Sequence, residues 1–335
     1  MSTHPRLGFS KSSNRGRATR SLDFLWLELT GKCNLRCKHC YAESSPERPL
    51  YEHMSEQDWK NIIDQAATLG CRALQFIGGE PTMHPALPAL IERARAKDFE
   101  TVEVYTNGTM FYPRVKEAFV RHKVDLAFSV YAANGEIHDQ VTRRAGSFER
   151  TLQSIRWALG ARLSVRAGII TMSDNAGETE RTQELLRAMG VTNIGTDRVR
   201  GVGRGLSPND PEAQLDELCG ACANGKLAVT ASGQIFPCVF SRFWPVGHVR
   251  ETLRSAIEGL PLVEFTNRMA STPAGRKRDR IPDCQPNHPC KPQCRPNRDP
   301  CDPLWPCDPW LSYKPDSEPR KKKRSPTRKR PVKGK

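Results

Sequence analysis

The chain has 335 residues, 37% hydrophobic and 27% charged, enough to bury a sizeable core as one large domain or two modest ones. Its net charge of +15 would suit a nucleic-acid binder, but residues 1–20 carry five Lys or Arg and no acid, and residues 314–335 carry eleven with two acids. Residues 21–313 are left within one charge of neutral, so the folded part carries no nucleic-acid signal, and no apolar run is long enough for a membrane helix.

The first 20 residues read as a basic, disordered segment. In RSLDFLWLELTG basic residues precede apolar ones, as in a secretory signal. The apolar run is short, however, Glu28 interrupts it, and no small-residue cleavage site follows. It reads as a first strand over 24–29 in a cytoplasmic protein. A helix follows over 55–70, with Ser55 and Asp58 as a capping-box pair, Trp59, Ile62, Ile63 and Ala66 as its apolar face, and Gly70 as its stop. Strands are predicted over 73–79, 101–108, 125–132, 163–172 and 192–197. Helices are predicted over 86–97, 114–122, 147–159 (capped by Ser147) and 178–190.

Six β/α units in series require crossover connections and hence a parallel sheet with helices outside it. The expected fold class is α/β: a partial (β/α)6 TIM-type barrel over 21–200, with its chemistry at the C-terminal ends of the strands. Residues 198–212 read as a Gly/Pro linker. KLAVTASGQIFPC (226–238) reads as a hairpin turning at Ser232-Gly233. After a short helix near 251–258 regular periodicity stops. Residues 273–313 are rich in Pro and Cys and poor in core residues, and 201–313 is expected to form a small Cys-rich domain. The tail over 314–335 is expected to be basic and disordered.

Twelve cysteines in a cytoplasmic chain point to metal ligands rather than disulfides. TGKCNLRCKHCYAE places Cys33, Cys37 and Cys40 directly after the first strand, with spacing C-x3-C-x2-C. Three thiolates on a four-iron cube leave one iron open to a ligand, whereas structural zinc needs four protein ligands. Cys71, between a helix and the second strand, falls at the opposite end of the barrel and reads as a buried structural residue.

CNLRCKHCY resembles the signature loop of the radical S-adenosylmethionine (SAM) superfamily, with His39 at the position before the third cysteine. FIGGEPT at the second strand end resembles the family's GGE motif at Gly78, Gly79 and Glu80. YTNGT (105–109) resembles its third strand end. Ser129 with HDQVTRRAGSF (138–148) resembles the SAM-binding segment of the peptide-modifying subgroups. The resemblance implies a 4Fe–4S cluster on Cys33, Cys37 and Cys40 whose open iron chelates SAM. One electron would cleave SAM to methionine and a 5′-deoxyadenosyl radical, which takes hydrogen from the substrate. It also implies that Gly78, Gly79 and Glu80 serve the methionine amine, Ser129 and Arg143 its carboxylate, and His39 the adenine.

Eight cysteines follow the linker: Cys219, Cys222, Cys238, Cys284, Cys290, Cys294, Cys301 and Cys307. This is the number that two fully ligated 4Fe–4S clusters need. Their order resembles the SPASM extension of peptide-modifying radical SAM enzymes, with Ile281 standing where that pattern has a further cysteine. The resemblance implies two auxiliary clusters, one on Cys219, Cys222, Cys238 and Cys294 and one on Cys284, Cys290, Cys301 and Cys307. Each of the last five cysteines has proline two places on, which fixes φ around a metal-stapled segment. Cys219-x2-Cys222-x15-Cys238 is also most of a zinc ribbon, with Ser241 where its partner would stand.

The expected substrate is a ribosomally made peptide undergoing oxidative modification such as cross-linking. A separate leader-recognition protein and a flavodoxin or ferredoxin-type electron donor are the expected partners, with neither nucleic acid nor membrane. The alternatives are a radical SAM enzyme acting on a sugar or antibiotic precursor and, from another class, a zinc-containing nucleic-acid binder with basic arms. The second alternative leaves CNLRCKHCY, the GGE motif and the six β/α units unexplained.

Overall fold

A computed structural model describes residues 21–205, 215 and 217–272. FLWLE forms β1 (Phe24–Glu28), buried along its whole length, as a central parallel strand covered on both faces must be. The chain then alternates through α1 (Glu56–Thr68), β2 (Ala73–Ile77), α2 (Leu87–Ala96), β3 (Thr101–Thr106), α3 (Pro113–Arg121) and β4 (Asp125–Ser129). It continues through α4 (Gly135–Thr142), α5 (Ser147–Gly160), β5 (Val165–Thr171), α6 (Thr179–Ala188) and β6 (Asn193–Arg198). The α1 capping box forms as its sequence predicts: Ser55 accepts from the Asp58 amide, and the Asp58 side chain accepts from the Ser55 amide.

Strands β1 to β6 lie side by side in chain order, all parallel, in an open sheet that matches the expected partial barrel. Alternation divides β1. Leu25 and Leu27 pack under the helices with Trp59, Phe76 and Phe119. Phe24 and Trp26 face the concave side.

The concave side is not purely apolar. Glu103 of β3 meets Arg166 of β5 through two bonds, Nε to Oε2 at 2.5 Å and Nη2 to Oε1 at 2.6 Å, and Gln75 of β2 donates to the same carboxylate. The Arg166 guanidinium also lies over the Tyr105 ring. Both charges are at least 96% buried.

After β6 come β7 (Lys226–Val229), β8 (Gln234–Phe236), β9 (Gly247–His248), α7 (Leu253–Glu258) and α8 (Leu260–Ser271). The predicted hairpin exists, with Gly233 at φ +84° in its turn. It does not stand apart from the barrel: β7 pairs in parallel with the outer edge of β1, which makes one nine-stranded sheet.

Three expectations change. Helix α4 occupies part of what was read as a binding segment, started by Asn134, whose side chain accepts from the Glu136 and Ile137 amides. Ser147 is not a cap; it is the first residue of α5, and its hydroxyl donates to Asp139. Helical order also continues past 258, because Pro261 sits in the first turn of α8, where proline is tolerated, and Leu262, Phe265 and Met269 are buried. Cys71 is fully buried in the main core, as expected. Among the described residues no helix is long and apolar enough to cross a membrane.

His138 on α4 is 1% exposed, with Nδ1 3.1 Å from the Ser147 hydroxyl. Burial pushes its imidazole down to about 4, against the pull of Asp139. A histidine in the unfolded chain takes a proton near pH 6.5, so the unfolded state gains protons first as pH falls. The stability contributed by neutral His138 is therefore complete above 6.5 and lost between 6.5 and about 4. Ring NMR of the folded chain should show no His138 titration above pH 5; a midpoint near 6.5 would contradict this packing.

Candidate active site at the strand ends

The loop after β1 is held at both sides. Thr30 Oγ1 donates to the Leu50 carbonyl at 2.7 Å and the Cys33 amide to that of Ser45 at 3.1 Å. The Arg36 and Lys38 amides donate to Thr142 and Val141 at the end of α4. All three cysteines line one cavity of about 190 Å3 over the strand ends. Each sulfur faces donors: the Leu35 amide at 3.4 Å and Asn107 Nδ2 at 3.6 Å for Cys33, the Tyr131 hydroxyl for Cys37, and the Ser44 amide at 3.4 Å for Cys40.

These donors do not by themselves favour thiolates. Burial first, then neighbouring Cys40, pushes the Cys37 thiol up to about 12; burial, then Glu80, raises Cys33 as well. A bound cationic centre reverses that balance. Among the described residues no three His, Cys, Asp or Glu side chains converge on one metal ion.

Gly78 and Gly79 line the cavity, but their more evident task is to let two chain segments meet. A side chain at Gly78 (φ +137°) would come within 2.6 Å of the Thr30 carbonyl, and one at Gly79 would collide with that of Lys32. The Gly79 amide donates to Thr30 at 2.6 Å and the Glu80 amide to Lys32 at 2.9 Å, which fixes the cysteine loop to the end of β2.

Glu80 is 1% exposed and lies behind the cavity wall. Its carboxylate accepts from the Thr82 and Thr106 hydroxyls, the Thr82 amide and the Asn107 amide, between 2.6 and 3.1 Å. Burial raises its pKa while these bonds oppose the rise. It thereby orders the turn carrying Asn107, whose side chain reaches Asn34 and Cys33.

His39 lines the cavity with its ring 4.8 Å from that of Tyr131, and its buried Nδ1 has no partner. Burial, then the Arg204 charge, lowers its imidazole to about 4, so the ring is neutral at pH 7. Ser129 also lines the cavity and bonds with Tyr105 and Tyr131. Arg143 is not brought in. It is exposed at the C-terminal end of α4 (φ +56°), outside the cavity, and its neighbour Arg144 makes the loop contact, to the Asn34 carbonyl at 3.0 Å.

The opposite wall comes from beyond the barrel. Val239 and Phe240, immediately after Cys238, line the same cavity as the first three cysteines. The Cys238 and Cys222 sulfurs are 3.1 Å apart. Cys219 is disulfide-bonded, which departs from the thiolate ligand expected there, although nearness to other thiols is also what a shared metal centre requires. Cys284, Cys290, Cys294, Cys301 and Cys307 lie outside the described residues.

Two contributors escaped the sequence reading. Tyr131 was assigned only to a strand, yet it touches both His39 and Cys37. Arg204 lay in a segment read as linker. Its Nε donates to the Cys37 carbonyl at 3.0 Å, its Nη2 to Ser44 at 2.8 Å and its amide to Cys40 at 3.0 Å. The neighbouring Gly203 signals such a close approach, since a side chain there would strike the Cys40 and Tyr41 carbonyls.

An open parallel barrel with a three-cysteine loop at its mouth is the architecture of an enzyme that carries its reactive group at the strand ends. Residues 27–188 match the family model of the radical SAM superfamily, and this stretch is similar to members of that superfamily. The antilisterial bacteriocin subtilosin biosynthesis protein AlbA of Bacillus subtilis (strain 168) is 31% identical over 192 residues, 57% of this chain and 42% of its own length. The AdoMet-dependent heme synthase of Methanosarcina barkeri (strain Fusaro / DSM 804) is 31% identical over 194 residues, 56% of this chain and 55% of its own. The chain thus spans about half the length of these relatives. The crystal structure of Streptococcus suis SuiB bound to S-adenosylmethionine superposes with a TM-score of 0.61 at 14% identity, over 76% of this chain and 68% of that one, which supports the shared fold.

The residues present fit the family's cofactors. Cys33, Cys37 and Cys40 offer three sulfurs with donors already in place. His39, which lines the same cavity, has a buried ring nitrogen without a partner.

Proposed function

We propose that this chain is a radical SAM enzyme that oxidatively modifies a ribosomally made peptide, cross-linking being the leading type. The family's cluster, when bound, supplies reductive cleavage of SAM and with it a radical able to take hydrogen from an unactivated carbon. Cys33, Cys37 and Cys40 would hold the cluster. Gly78 and Gly79 keep the loop against β2, Glu80 orders the Asn107 turn, and His39 and Ser129 would contact SAM. Arg143 remains a candidate for the SAM carboxylate only if the end of α4 moves inward.

The single observation that carries the peptide reading is the cavity wall formed by Val239 and Phe240. It brings the two residues that follow Cys238 to the cavity, which supports a reading in which auxiliary clusters on the second cysteine set would accept an electron from the substrate. The barrel alone does not choose a substrate class, since both a bacteriocin biosynthesis protein and a heme synthase resemble it. We assign Cys219, in its reduced thiolate form, with Cys222, Cys238 and Cys294 to one auxiliary 4Fe–4S cluster and Cys284, Cys290, Cys301 and Cys307 to the other. This division goes with domains over 21–200 and 201–313, basic segments at both ends, a cytoplasmic site, a separate leader-recognition protein and a flavodoxin or ferredoxin-type donor.

One observation favours zinc in the second set: sulfurs of Cys222 and Cys238 at 3.1 Å are closer to the spacing of two ligands on one ion than on neighbouring irons. The peptide reading is tested by co-expressing the chain with a short precursor peptide encoded beside it. A peptide mass lowered by paired hydrogen loss is expected. An unchanged peptide, with turnover of a sugar or tetrapyrrole substrate by the same preparation, would overturn it.

A further inference from the structure

The segment over 199–205 leaves β6 and closes against the cysteine loop, and Arg204 is its principal contact. Its two side-chain bonds end on the carbonyls of Cys37 and Ser44, and its amide bonds that of Cys40. Two of the three cysteine residues are therefore tied to one arginine. Two other cations of the loop are matched by carboxylates: Arg36 pairs with Glu47 and Lys38 with Asp174. Lys32 points away, with its amine on the Pro46 carbonyl at 2.9 Å. Among the described residues no carboxylate pairs with Arg204, while Asp197, Glu217 and Glu28 are taken by Arg200, Arg198 and Arg242. Arg204 is half-buried, so its charge is only partly screened.

We propose that Arg204 is a positioning residue that ties down the cysteine loop and supplies the fixed positive charge that makes the bound iron–sulfur centre easier to reduce. Reduction adds one negative charge to a centre already ligated by three thiolates. A neighbouring cation lowers the cost of that charge, and local charge and hydrogen bonds to sulfur set the potential of such centres. The inference rests on the reading that Cys33, Cys37 and Cys40 hold a reducible cluster.

The test uses the full chain, reconstituted anaerobically, as wild type, Arg204→Gln and Arg204→Lys. Iron per chain is measured first. The electron paramagnetic resonance signal that changes on adding SAM is then followed at graded reducing potentials, which isolates the centre with an open iron. In the glutamine variant, at wild-type iron content, the reduced-to-oxidised ratio at fixed potential should fall about tenfold, or about 59 mV for one electron. The lysine variant should stay within about twofold of wild type, since it keeps the charge. Equal potentials in wild type and the glutamine variant would overturn the proposal.

If the glutamine variant holds no iron, the lysine variant decides: a wild-type ratio supports the charge role and a tenfold fall contradicts it. Loss of iron from both would also overturn the charge role, because a retained cation would have counted for nothing. A wild-type chain with no SAM-responsive signal would instead overturn the cluster reading itself.

Discussion

Replacing Cys33, Cys37 and Cys40 together by alanine abolishes reductive formation of 5′-deoxyadenosine from SAM while leaving the barrel folded. The three thiols are the cysteines brought to the cavity by the loop after β1, and His39, which lines the same cavity, bears the ring expected to meet SAM. Single Cys→Ser variants should lose nearly as much as the triple one, because ligands of one centre act as a unit. The fold survives, since the main core is built from Leu25, Leu27, Trp59, Phe76 and Phe119 and contains none of the three cysteines. Cys71→Ala is the matched control. It lies in that core, so it should cost about 1–2 kcal/mol of stability through the cavity it leaves and keep SAM cleavage. Residual 5′-deoxyadenosine above buffer background in the triple variant would contradict the assignment.

Glu103→Ala has the largest expected effect on stability, a loss of about 3–5 kcal/mol, because it leaves the Arg166 guanidinium buried without its bidentate partner. Gln75 loses its acceptor in the same step. A Glu103→Leu/Arg166→Met double variant should recover most of the loss, since exchanging a whole buried pair for apolar side chains is close to neutral. Denaturant unfolding of the metal-free chain followed by circular dichroism measures both. A loss below about 1 kcal/mol for Glu103→Ala would mean that the arginine finds another partner, and the barrel base would need redrawing.

Much of the barrel could be read from the chain because its strands are near-continuous apolar runs and its helices carry explicit start signals, Ser55 with Asp58 above all. The cysteine loop was legible for a different reason: its spacing is a chemical demand, independent of packing. What escaped was decided by partners distant in sequence. Nothing local tells β7 to lie parallel against β1, since a hairpin pattern specifies only its own turn.

The roles of Gly78 and Gly79 were read toward a ligand, yet the atoms they accommodate belong to Thr30 and Lys32. Arg143 was placed by motif position, and a left-handed helix end turned it outward while Arg144 took the contact. Arg204 sits among glycines, which describe a loop without saying what the loop touches. Helix α8 is legible in the spacing of Leu262, Phe265 and Met269, with Pro261 in its first turn, where proline is tolerated.

The most direct test is the iron, sulfide and zinc content of the anaerobically reconstituted chain, measured beside the Cys33/Cys37/Cys40→Ala variant. Three four-iron clusters predict about twelve irons per chain, falling to about eight in the variant. About four irons with zinc, the iron lost in the variant, would retain the radical chemistry and turn the C-terminal cysteines into a zinc module. Zinc without iron would contradict the radical SAM account.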